Sequence, residues 1–204
     1  MRTTLLALSL SLLMPAALLA QTSETGTDEP EPTTQTPSIE DQLSLGEDAN
    51  DAPTVGQTYV DETFGAWQMR CVVTEDGNDP CQMYQLMSDE QGTPVAEISI
   101  FRLPEGGRAS AGATIIVPLE TSLPQQLTVK VDDNTARRYP FAFCNQIGCF
   151  SRVGLVPDEV DAFKRGNEAI LSIVPALAPD QTVELVMSLD GFTAAFDNTS
   201  VADN

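Results

Sequence analysis

Apolar side chains over the C-terminal part of this chain recur at every second residue, a period that an extended strand with one buried face satisfies. In Trp67-Gln68-Met69-Arg70-Cys71-Val72-Val73, the residues Trp67, Met69, Cys71 and Val73 share one face, opposite Gln68 and Arg70. Leu127, Val129 and Val131 oppose Thr128 and Lys130 in the same way, and Val183, Leu185, Met187 and Leu189 oppose Thr182, Glu184 and Ser188. Further strands are expected over residues 95–103, 114–119, 138–144, 149–155 and 169–174, separated by turn residues such as Asp76-Gly77-Asn78-Asp79-Pro80, Glu105-Gly106-Gly107 and Asp132-Asp133-Asn134. The pattern predicts an all-β domain over residues 63–204, an antiparallel β-sandwich or barrel-like fold with a single core.

One short helix is expected to cover an edge or end of the sheets. Pro157 suits a first helical turn, Asp158 and Glu159 follow at its dipole-positive end, Lys164 and Arg165 lie at the other, and Gly166 ends it. Val156, Val160 and Phe163 form its apolar stripe. A weaker helical turn is expected near residues 192–196.

The first 62 residues differ in kind. Arg2, an apolar run over residues 5–13 and the small residues before Gln21 read as a signal peptide cleaved after Ala20. The run is too short to span a bilayer, which takes about 20 residues, so the mature chain is expected to carry no transmembrane segment. Residues 21–62 are rich in acids and prolines and contain no lysine or arginine. Such a segment buries too little apolar surface to offset its ordering entropy, and it reads as a disordered acidic tether. Export places the mature protein in the periplasm or outside the cell, where disulfides persist.

The four cysteines form two close pairs, Cys71 with Cys81 and Cys144 with Cys149. Cys144-Asn145-Gln146-Ile147-Gly148-Cys149 has the length of a hairpin with a glycine at its turn, and Cys71 and Cys81 can oppose each other across the 74–80 loop. Four cysteines allow three pairings. Local pairing is the expectation, and spacing alone does not exclude the other two. A four-cysteine zinc site fits the spacings poorly, and neither pair has the basic or helix-N-terminal surroundings of a reactive thiol.

Catalytic groups are scarce. The chain has no histidine, which removes Ser-His-Asp, Cys-His and histidine-metal chemistry. Asp132-Asp133 lies in a turn and Asp158-Glu159 at a helix start, so structural roles account for both carboxylate pairs. No catalytic residue, metal ligand or cofactor is assigned. A formal charge of −20 disfavours nucleic acid as a partner. Arg137 and Arg138, beside Tyr139 on an expected strand, are the candidate contact for a partner. A solvated doublet balanced by Asp132 and Asp133 is the plainer reading. Trp67, the sole tryptophan, is expected in the core.

Four segments stand in a telling order: Phe64-Gly65-Ala66-Trp67-Gln68-Met69-Arg70-Cys71, then Cys81-Gln82-Met83-Tyr84-Gln85, then Pro140-Phe141-Ala142-Phe143-Cys144 with Gly148-Cys149, and Leu189-Asp190-Gly191-Phe192-Thr193-Ala194-Ala195. Together they resemble the invasion-associated locus B family, exported proteins of Gram-negative, mainly alphaproteobacterial, species. Ala66 stands where an acidic or polar residue is common in that family. The resemblance covers residues 63–198 and not the acidic segment. It implies a β-rich periplasmic, envelope-associated or secreted protein without an established enzymatic activity, whose founding members are linked to entry into host cells. The expected function is therefore a non-enzymatic binding or structural module with an envelope or cell-surface protein as partner. An envelope hydrolase or thiol-redox enzyme is the alternative.

Overall fold

The alternation is realised as strands in the computed structural model, which describes residues 52–202 together with Leu43. The expected signal peptide and most of the expected tether lie outside the described residues. Strands β1 (Thr58–Phe64), β2 (Trp67–Val72), β3 (Cys81–Ser88), β4 (Pro94–Arg102) and β5 (Ala111–Val117) follow one another as an antiparallel meander. The chain then crosses to β6 (Leu127–Val131) and β7 (Arg137–Tyr139), and returns through β8 (Phe143–Cys144) and β9 (Cys149–Leu155). Helix α1 (Pro157–Arg165), strands β10 (Glu168–Ile173) and β11 (Val183–Ser188), and helix α2 (Phe192–Asn198) complete it. Seven strands form one sheet in the order β1-β2-β3-β4-β5-β9-β8, and four form another in the order β11-β10-β6-β7. Met83, Ile98 and Ile115 of the large sheet and Val129, Leu171 and Met187 of the small one share a single core. This is the expected all-β fold, as a sandwich, with α1 joined by a second short helix.

Departures from the expected elements have local causes. Strand β1 begins at Thr58, inside the stretch read as tether, and Asp61 and Glu62 are strand residues. It is an edge strand with most side chains in water, held by backbone pairing from Thr58↔Val72 to Phe64↔Trp67, so it shows no buried alternation. Strand β3 was hidden because its inward row, Met83, Gln85 and Met87, is interrupted by a polar residue. The expected strand over 138–144 divides at Pro140, which has no N–H to give a ladder. β7 belongs to the small sheet and β8 to the large one, and the buried Ser151 hydroxyl donates to the Pro140 carbonyl at 3.0 Å, pinning the crossing.

The end of β11 is latched to the large sheet. The Ser188 carbonyl accepts from Trp67 Nε1 at 3.0 Å and from Gln85 Nε2 at 2.9 Å, while the Ser188 N–H donates to Gln85 Oε1 at 2.9 Å. Gln85 is thus buried with both ends of its amide paired, the condition under which burial of a polar group is tolerated. Beside it, the Ala66 N–H donates to the Asp190 carbonyl at 3.1 Å. Gly65 and Gly191 have φ of +55° and +80°, and a Cβ on Gly191 would run into the Phe64 carbonyl. Two turns therefore interlock through positions that exclude side chains. Gly191→Ala is expected to destabilise by about 2–4 kcal/mol, combining left-handed backbone strain with the displaced turn. Chemical denaturation checks it, and a cost below the roughly 1 kcal/mol of αL strain alone would show that the turns do not interlock.

Candidate functional site

All four cysteines are in disulfides, Cys71 with Cys81 and Cys144 with Cys149. Each pair is directly opposed in a hairpin register, with Cα atoms 4.0 Å apart. The first closes a loop that is also tied by Asp79, which accepts from the Thr74 N–H at 2.7 Å and from the Tyr59 hydroxyl at 2.9 Å. The hydrogen bond from the Thr74 backbone, aided by that from Tyr59, holds the Asp79 carboxyl below its ordinary pKa. The Asn78 and Thr74 side chains lower that of Asp76 to about 2. The sulfur atoms are committed to scaffold.

The chain's three tyrosines are committed in one pattern. Tyr59 donates to Asp79, Tyr84 to Glu97 at 2.7 Å and Tyr139 to Glu159 at 2.7 Å. Each pKa is raised: for Tyr59 chiefly by the bond to Asp79, for Tyr84 and Tyr139 chiefly by burial and then by the carboxylate. A raised tyrosine pKa means that the folded state keeps a proton which the unfolded chain releases near pH 10. The linked stability is complete below that pH and is lost as pH rises past it. Spectrophotometric titration should place the ionisation of all three phenols above pH 10 in the folded protein and about 10 in denaturant. Any phenol ionising at or below pH 10 in the folded protein would contradict these contacts.

Tyr139 also lines a cavity. β7 pairs with β6 in the register Leu127↔Tyr139, Thr128↔Arg138 and Val129↔Arg137, so Arg137 and Tyr139 lie on one face and Arg138 on the other. Helix α1 starts over that first face. Its Glu159 accepts from the Val156 N–H at 2.9 Å, closing the first turn, and lies 2.9 Å from Arg137 Nε. Between them opens a space of about 310 Å³, lined by Val129, Val131, Ala162 and Phe163, with Arg165 and Asp158 at its margin. The expected doublet is thereby split: Arg137 borders the cavity, while Arg138 is exposed on the opposite face. The counter-ion of Arg137 is Glu159. Asp132, expected to balance the doublet, instead accepts from the backbone N–H groups of Asn167 and Glu168.

Glu159 was legible as a helix-start residue, and Arg137 as a strand residue. Their meeting was not, because no local pattern connects positions so far apart. Among the described residues, no group of three or more Cys, Asp or Glu is placed to hold a metal ion. Trp67 is fully buried, edge-on to Phe192 with ring centroids 5.4 Å apart. No described helix is long and apolar enough to cross a membrane.

Comparison with known proteins agrees with this architecture. Two proteins named invasion protein B homolog, from two strains of Brucella abortus, are each 28% identical over 142 residues, covering 70% of this chain and 80% of their own. The crystal structure of invasion associated protein b from Bartonella henselae superposes with a TM-score of 0.55 at 24% identity, over 68% of this chain and 91% of that one, and supports the fold. The model of the invasion associated locus B (IalB) protein family matches residues 67–200, from the latched Trp67 to the segment following α2, and the chain belongs to that family.

Proposed function

We propose that this protein is an exported, non-enzymatic binding module that acts in the periplasm or outside the cell and docks an envelope or cell-surface protein at the β7 corner. The observation that carries this reading is the state of Arg137 and Arg138. In a chain of net charge −20 they are consecutive residues on opposite faces of a short edge strand, and both are exposed. Arg137 gives its Nε to Glu159 and keeps its other guanidinium nitrogens free among the described residues, and Arg138 pairs with no described residue. Exposed cations on an acidic protein favour an acidic partner surface and speed its encounter. The expected signal peptide supports the location, and the acidic segment, self-repelling and proline-stiffened, would extend the domain's reach.

The relatives' names associate the family with invasion, and contact with a host cell is one form the docking could take. The enzymatic alternative gains nothing from the site. Both cysteine pairs are closed, and the carboxylates nearest the cavity serve helix α1 and Arg137. The test is capture of envelope proteins by the mature chain at physiological salt. A saturable partner is expected, and its absence from both envelope and host-surface extracts would overturn the proposal.

A further inference from the structure

We infer that the cavity between β6, β7 and α1 is a binding site for a small carboxylate bearing an apolar chain, with the carboxylate at Arg137 and the chain against Val129, Ala162 and Phe163. This goes beyond docking of a protein partner and does not depend on it. The volume of about 310 Å³ falls at the lower end of small-ligand pockets. Val129, Val131, Ala162 and Phe163 form an apolar part of its wall, beside the polar Asn134 and Thr135, and apolar surface left facing water in a concavity gains by being covered. Beneath them a second space of about 10 Å³ lies between the sheets, and Val129, Tyr139 and Phe163 line both. Val129, Tyr139 and Phe163 thus form the floor of the cavity and roof a space no larger than a water molecule.

The polar groups select the sign of the head. The Tyr139 hydroxyl is already given to Glu159, which also accepts from the Val156 N–H and pairs with Arg137 Nε. A cationic head would find Glu159 occupied and only Asp158, itself at the dipole-positive start of α1, left to it. The remaining guanidinium nitrogens of Arg137 have no hydrogen-bond partner among the described residues, and its side chain is 57% exposed. They offer the paired donors that a carboxylate accepts. Charge at the mouth also balances, with Arg137 and Arg165 against Asp158 and Glu159, although the chain as a whole repels anions.

Calorimetric titration of the mature chain with sodium octanoate tests the site without any envelope partner, so its outcome is separable from the docking test. One octanoate per chain is expected to bind saturably, and hexanoate about tenfold more weakly, since each methylene contributes roughly a factor of three to four. Octylammonium should show no saturable binding. Arg137→Gln should weaken octanoate about tenfold by removing a charged hydrogen-bond donor, whereas Arg152→Gln, on the outer face of the large sheet, should leave it unchanged. Absence of octanoate binding would overturn the inference. So would equal binding of octylammonium, indifference to chain length, or an equal response to the two substitutions.

Discussion

Replacing Trp67 by alanine is expected to lower the unfolding free energy by about 3–5 kcal/mol, the range for truncating a buried aromatic side chain. Trp67 is fully buried, packs edge-on against Phe192 and donates its indole N–H to the Ser188 carbonyl. The substitution removes core volume and a tie between the sheets together. For a domain of this size each kcal/mol moves Tm by roughly 2–4 °C, so a fall of about 10 °C follows. Trp67→Phe separates the two contributions. It keeps an aromatic ring in the core and leaves Ser188 its bonds from Gln85, and should cost only about 1–2 kcal/mol. If Trp67→Phe were as damaging as Trp67→Ala, the indole hydrogen bond would dominate over packing, contrary to this account.

Loss of the disulfides is the second large effect. Each closes a short loop, with partners ten and five residues apart, for which the chain-entropy model gives about 2–3 kcal/mol apiece. Cys71→Ala with Cys81→Ala should therefore cost about 2–3 kcal/mol, and removal of both bridges about 5. Denaturation of the paired-alanine variants measures this without a reductant. The loss should appear as a lower midpoint while the cooperative transition persists, because Met83, Ile98, Ile115 and their neighbours form the core independently of the sulfurs. Unchanged stability on removing both bridges would mean that the hairpins are held entirely by their ladders and loop contacts.

Three of the four segments by which the family can be recognised in the sequence fasten the sandwich. Gly65 and Ala66 lead into β2 at Trp67, Gln85 comes from β3, and Asp190 and Gly191 lead into α2 at Phe192; they meet around Ser188. Their roles in the structure are steric and hydrogen-bonding. Binding, on this account, falls to residues outside these segments.

Strands with one face in the core were legible because burial imposes a period of two, as in β2, β6 and β11. β1 was not, since an edge strand with both faces largely in water is held by backbone pairing that leaves no mark on side-chain choice. Gln85 concealed β3 because its justification, a two-ended bond to Ser188, is tertiary. Hairpin spacing favoured the local disulfides without excluding the other two pairings, and the structure has the local ones. Arg137 could be singled out from charge alone, yet the cavity beside it could not, because it is bounded by β6, β7 and a helix that begins some twenty residues later in the chain. Arg138 shared the same sequence signal and lies on the other face, a consequence of strand alternation about a boundary that the sequence placed one residue late.

The separation of scaffold from binding surface is tested most directly by comparing Arg137→Gln/Arg138→Gln with Gly191→Ala in one experiment, measuring partner capture and Tm for each. Among the described residues the two arginines make one ion pair, between the exposed Arg137 and the largely buried Glu159; exposed pairs are worth about 0–1 kcal/mol, so the double variant should melt within a few degrees of the parent and lose capture. Gly191→Ala should melt several degrees lower and, below its midpoint, still capture. Retained capture by the arginine variant would contradict the account.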